Sequence, residues 1–128
     1  MKRILFTLVL MALLLSACGG GSSTPKVTDP QTPIQASAGN QFQIVLEANP
    51  TTGYHWDIVG ELDKSVVELV SHDYQSASYP NVVGGGGLDT WTFKAVGAGQ
   101  ATITLGYYPP SNTPTDPAKT ETFTVQVK

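Results

Sequence analysis

A single cysteine, Cys18, in 128 residues excludes an internal disulfide, so stability has to come from an apolar core. Basic residues are scarce as well: beyond Lys2 and Arg3 there are five lysines and no arginine, set against ten acidic side chains. An acidic, lysine-poor chain has no footprint for nucleic acid. The only histidines are His55 and His72, and with Asp57 and Asp73 nearby they match no closed zinc pattern, so no metal is expected. No nucleophile-elbow sequence accompanies them, and "GGGGLD" at 84–89 lacks the Lys-Ser/Thr continuation of a phosphate-binding loop. The inventory therefore points to a chain without cofactor that is not an enzyme. Beyond residue 18 there is also no apolar pattern for a helix of average length.

The one long hydrophobic run, "ILFTLVLMALLLSA" at 4–17, follows Lys2 and Arg3 and has signal-peptide length. It closes on "LSAC", small residues directly before Cys18, which resembles the lipobox of bacterial lipoproteins. That resemblance implies cleavage before Cys18 and acylation of that cysteine, whose several acyl chains would satisfy the requirement for more than one hydrophobic anchor. A plain secretory signal or an uncleaved span are the alternatives. Gly19 stands where an acidic residue would resemble an inner-membrane retention signal. The expected location is thus the bacterial cell envelope, with the protein lipid-anchored to a membrane and the outer membrane, facing the periplasm, as one candidate. Residues 1–17 read as signal peptide, 18–40 as a lipidated cysteine with a flexible Gly/Ser/Thr/Pro tether, and 41–128 as the folded domain.

From residue 41 the apolar pattern has period two. "QFQIVLE" lines up Phe42, Ile44 and Leu46; "HWDIV" adds Trp56 and Ile58; "DTWTFKAV" adds Trp91, Phe93 and Ala95. "ATITLGY" contributes Ala101, Ile103, Leu105 and Tyr107, and "ETFTVQVK" contributes Phe123, Val125 and Val127. Threonines alternating with large apolar residues favour strands. About seven short strands separated by Gly/Pro/Asn loops predict an all-β, immunoglobulin-like antiparallel β-sandwich, with a barrel as the competing architecture. Trp56 and Trp91 lie in phase with their apolar faces and are assigned to the core. A monomer is expected.

Three connections are less ordinary. In "NPTTGYHW" at 49–56, Pro50 fixes its own φ and biases Asn49 toward an extended backbone, while Gly53 can take a positive φ. Thr51 and Thr52 then sit at the tip of a short, stiff loop that loses little entropy on docking. "SHDYQSASYPNVVGGGG" at 71–87 reads as a long connection whose Gly84, Gly85, Gly86 and Gly87 let a partner approach the backbone. "GYYPPSNTPTDPAKT" at 106–120 offers Tyr107 and Tyr108 ahead of Pro109 and Pro110, rigid aromatic area of the kind favoured at interfaces. Tyr54 reads as support for the first loop from beneath, and His55 as incidental.

Together these blocks resemble the chagasin-type inhibitors of papain-like cysteine peptidases. The resemblance covers about residues 38–128. Its first-loop signature is met by Asn49, Pro50, Thr51, Thr52, Gly53, Tyr54 and Trp56. Its Gly-x-Gly-Gly pattern is met by Gly84, Gly86 and Gly87 with Gly85 at the free position, and its third loop by Tyr107 and Pro110. Pro109 and Ser111 occupy the places where an arginine and a tryptophan would be expected, so weaker inhibition or an altered target is implied; Tyr108 can restore some aromatic contact. The resemblance implies reversible, non-covalent blockage of a papain-like cysteine peptidase by loops 49–54, 84–87 and 107–111, with Thr51 and Thr52 near the enzyme's catalytic pair. A non-inhibitory binding or adhesion module on the same sandwich is the alternative. It predicts recognition through a sheet face, whereas inhibition predicts three loops gathered at one end.

Overall fold

The computed structural model describes residues 23–76 and 86–128. Wherever large apolar residues alternate, the chain forms a strand: β3 (Gln41–Ala48), β4 (His55–Ile58), β6 (Gly87–Ala95), β7 (Gly99–Tyr108) and β8 (Lys119–Val127). Their in-phase residues meet between two sheets. Phe42, Phe93 and Phe123 are fully buried together with Ile44, Ile103, Leu105, Val67 and Val125. Phe42 and Phe93 stack across the β3–β6 pair, with ring centroids 5.7 Å apart. Burying each such side chain contributes about 1.5–3 kcal/mol, which gives this disulfide-free core its driving force. Trp56 and Trp91 are buried, as their phase requires.

Three further strands complete two four-stranded sheets: β1 (Lys26–Val27), β2 (Ile34–Ala36) and β5 (Val67–Ser76). One sheet runs β1-β3-β6-β5 and the other β2-β8-β7-β4. The result is the expected immunoglobulin-like sandwich, with eight strands among the described residues, two of them paired in parallel rather than antiparallel. The short strands β1 and β2 pair in parallel with β3 and β8. Residues 28–33 carry the chain from one sheet to the other through a turn in which the Asp29 carboxylate accepts bonds from the Gln31 N–H and the Thr32 hydroxyl. Composition assigns this segment to the tether, yet Ile34 lies in the core at 4% exposure. Strands of two and three residues carry no periodicity to read, and each covers one edge of a sheet that would otherwise present unpaired backbone. Residues 1–22, which hold the expected signal peptide, Cys18 and the start of the expected tether, lie outside the described residues.

The second difference concerns β5, whose residues 71–76 read in sequence as the start of a long connection. They pair instead along β6 as an edge strand, with His72 opposite Trp91 and Tyr74 opposite Asp89 after a register shift between Leu69 and Ser71. Only Val67 of this strand is buried, so no apolar alternation marks its outer half. The backbone ladder with β6 carries it on past its last buried residue. The second connection is thereby shortened to 77–86. Likewise Tyr107 and Tyr108 belong to β7, which leaves 109–118 as the third connection.

Ile34→Ala tests whether β2 belongs to the folded unit. Urea denaturation should show a loss of about 2–5 kcal/mol, the usual cost of truncating a packed isoleucine; a loss within about 0.5 kcal/mol, typical of exposed positions, would return this segment to the tether.

Candidate functional site

The connections β3–β4, β5–β6 and β7–β8 leave the sandwich at the same pole. Ala48 closes β3 opposite Gly87 at the start of β6, and His55 opens β4 opposite Tyr108 at the end of β7. The first loop touches both others. A Cβ built on Gly86 would lie 3.0 Å from the Ala48 carbonyl oxygen and 3.7 Å from the Asn49 side chain. One built on Gly53 would lie 2.8 Å from Cβ of Pro110.

Within the first loop, Pro50–Thr52 form a single 3-10 turn closed by Gly53, whose φ of 82° is left-handed. The Thr52 N–H bonds to the Asn49 carbonyl at 3.2 Å and the Gly53 N–H to that of Pro50 at 3.0 Å. Proline ahead, a positive-φ glycine behind, and Pro110 against the glycine leave this turn one backbone path. The threonine hydroxyls are turned inward: Thr51 donates to Oδ1 of Asn49, and Thr52 to the Asn49 carbonyl at 2.6 Å. Both side chains are exposed, so what they present outward is chiefly their methyl groups.

Beneath the loop stands an aromatic column on the inner face. Tyr54 stacks on Tyr107 with centroids 5.3 Å apart, and Trp56 packs on the same ring at 4.9 Å. The Tyr107 hydroxyl accepts the Asn49 N–H at 3.2 Å, and the Trp56 indole donates to the Glu47 carbonyl at 2.9 Å. Lys119, which sequence reasoning passes over, holds its ammonium 5.3 Å from the Trp56 ring centre and 5.2 Å from that of Tyr107. Tyr107 is therefore a strand residue that props the first loop, half-buried under it. Tyr108 points to the opposite face and stacks on His55. Pro110 is exposed, and Ser111 is tied within its own loop, donating to the Thr113 carbonyl at 2.9 Å.

Gly86 and Gly87 are placed at the base of the second loop; Gly84 and Gly85 lie outside the described residues. Gly87 opens β6, where a Cβ would fall 2.1 Å from the Gln75 carbonyl oxygen and 2.6 Å from the Tyr74 hydroxyl. The lack of a side chain there makes room for the protein's own β5.

One charged group enters the interior close to this pole. Asp89 follows the inward phase of Trp91 and Phe93, is 4% exposed, and is bonded by Nε2 of His72. His72 in turn lies flat on Trp91 with ring centroids 3.8 Å apart. Burial raises the Asp89 carboxyl above its ordinary value; the bond and charge of His72, and then the Trp91 indole, oppose that shift. The sequence shows His72 with Asp73 as its neighbour, and only the strand register reveals that Asp89 is its partner. Among the described residues, no group of three His, Cys, Asp or Glu is arranged to hold a metal.

A family described as chagasin family peptidase inhibitor I42 has a sequence profile that matches residues 35–127. Among solved structures, the cysteine protease inhibitor EhICP2 from Entamoeba histolytica is similar at TM-score 0.67 and 25% identity, over 82% of this chain and 96% of that one. The solution structure of amebosin is similar at 0.65 and 25%, over 83% and 99%. PbICP-C, solved in complex with falcipain-2, shares the fold at 0.56 and 21% identity, over 83% and 90%. No curated protein sequence matches the chain.

A folded-state pKa above the unfolded one means that Asp89 favours folding in its protonated form; that contribution is complete below the unfolded pKa and is lost as pH rises through the folded value. Asp89→Asn stays neutral, so wild type should lose stability relative to this variant as pH climbs through the Asp89 titration. Urea denaturation of both proteins from about pH 3 to about pH 8 reads the effect, and parallel stability curves would contradict it.

Proposed function

The chain belongs to the chagasin family of peptidase inhibitors, and from that premise we propose that it inhibits papain-like cysteine peptidases reversibly by laying its three-loop pole across the active-site cleft. The observation that carries this reading is the convergence of the first loop on both neighbours, through Gly53 with Pro110 and Asn49 with Gly86. A wedge whose backbone is already set pays little ordering entropy when it docks. Thr51 and Thr52 are the exposed tip of that wedge and enter nearest the enzyme's catalytic pair. Their hydroxyls are occupied within the loop, so they block the cleft by shape and methyl contact and offer no nucleophile. The glycine-rich second loop and Pro110 brace the two sides. Exclusion of substrate suffices, and the inhibitor needs no chemistry of its own. Gathering of the loops at one pole also favours this reading over a sheet-face binding module.

The same reading includes anchoring at Cys18 to a membrane of the bacterial envelope. Support comes from where the chain enters the fold. Ser23, Thr24 and Pro25 line one groove with Asn40, Gln41 and Lys128, at the pole opposite the loops. A lipid on an N-terminal tether would therefore leave the loop pole directed away from the bilayer, free to meet a peptidase. Acting alone suffices for such a wedge, and a monomer is the proposed state.

Titration of the soluble protein, residues 19–128, against papain and cathepsin L should show competitive inhibition at or below micromolar concentration. Thr51→Glu or Thr52→Glu should raise the inhibition constant by roughly 30-fold or more, the scale of a 2 kcal/mol hot spot, while leaving the thermal melt nearly unchanged. Absence of inhibition across several papain-like enzymes would sink the reading, and loss of folding together with inhibition would deny the division between scaffold and loops. In cells fed labelled palmitate, Cys18→Ser should abolish incorporation into this protein; persistent label would refute the anchor.

A further inference from the structure

The outer face of the β4–β7 pair carries a groove that the wedge itself does not use. It has a volume of about 330 Å3 and runs beside the third connection, lined by His55, Asp57, Tyr108, Pro109, Ser111 and the segment 113–115. His55 and Tyr108 form one wall as a stacked pair, their ring centroids 5.8 Å apart and their planes inclined by 24°. The opposite wall is a stiff stretch of loop: the Ser111 hydroxyl accepts the Thr113 N–H and donates to the Thr113 carbonyl. Farther along, Pro117 packs over Gly106, where a Cβ would fall 3.0 Å from it. Asp57 supplies the only formal charge on the lining apart from any on His55. Its Oδ1 accepts the Ile58 N–H at 2.8 Å, which orients the carboxylate and leaves Oδ2 without a hydrogen-bond partner among the described residues.

We propose that this groove binds an arginine side chain projecting from the bound peptidase, with the guanidinium laid against the Tyr108–His55 wall and paired with Asp57. Aromatic faces attract a planar cation, and an oriented carboxylate adds charge-assisted hydrogen bonds that a guanidinium meets in a fork. No lysine or arginine lines the groove to compete for the carboxylate. Its position fits a flanking contact, because Pro109 joins the groove to Pro110, which packs on Gly53 of the wedge. The place where resemblance leads one to expect an arginine of the inhibitor thus holds Pro109, and the surface beside it is built to receive a cation. Choice of target then follows the charge on the rim of the peptidase cleft. The identity of the partner rests on the inhibitor reading; the chemistry of the groove does not.

Nα-acetyl-arginine methylamide, titrated into the soluble protein and followed through the ring signals of Tyr108 and His55 by NMR, tests the groove without any peptidase. Saturable shifts are expected with this probe and none with Nα-acetyl-glutamate methylamide. Asp57→Asn should weaken the arginine probe by roughly tenfold, the loss of one hydrogen bond to a charged group, while leaving the protein folded by its amide spectrum. Absence of saturable shifts, equal shifts from the glutamate probe, or unchanged binding in Asp57→Asn would each overturn the proposal. Failure of wild type to inhibit any papain-like enzyme would remove the inhibitor reading and leave this measurement to decide the groove independently.

Discussion

The ring of Tyr107 ties the core of the sandwich to its loop pole. It continues the inward phase of Ala101, Ile103 and Leu105 along β7, and so it is positioned by the same burial that forms the sheet. At its own position the core ends, and the ring packs against both Trp56 and Tyr54. Its hydroxyl then takes the N–H of Asn49, the residue from which the 3-10 turn starts. Apolar packing inside the sandwich is converted in this way into a fixed backbone direction outside it. An amphipathic side chain with an apolar body and a polar tip suits that duty.

Rigidity at the pole is distributed among unlike interactions. Gly53 is held by conformation and by the bulk of Pro110, the threonine hydroxyls by bonds to Asn49, and the β5–β6 corner by the fit of Tyr74 and Gln75 over Gly87. The His72–Asp89 contact adds a polar clamp between an exposed edge strand and the interior. An exposed strand has little apolar burial of its own, and a partner reaching a buried carboxylate supplies a specific register where hydrophobic phase supplies none. The mostly polar pairing of β5 is thus consistent with its long, weakly patterned sequence.

Much of this molecule is legible because strand phase is a local property. Phe42, Ile44, Trp56, Trp91, Phe93, Ile103 and Phe123 can be assigned to the interior from alternation alone, and each is buried. Legibility stops where alternation stops. β1 and β2 are too short to show a period, and β5 is exposed along most of its length. His55 is a comparable case for the site: as a lone histidine after a loop it carries no signal, and its meaning comes from Tyr108, which pairs with it across β4 and β7.

Local pattern is enough to read the sandwich class, the stiff Asn-Pro-Thr-Thr-Gly turn and the family to which the pattern points. These depend on neighbouring residues, on side-chain phase and on the dihedral limits of proline and glycine. Which distant residues meet is set by how the sheets assemble. That assembly brings Gly53 onto Pro110, places Asn49 under the hold of Tyr107, pairs His72 with Asp89, and sets Asp57 beside a groove walled by His55 and Tyr108. The physical reason is that such contacts are fixed by strand order and register between segments far apart in the chain, and nothing local in the amino-acid pattern encodes that register at exposed edges and loop ends.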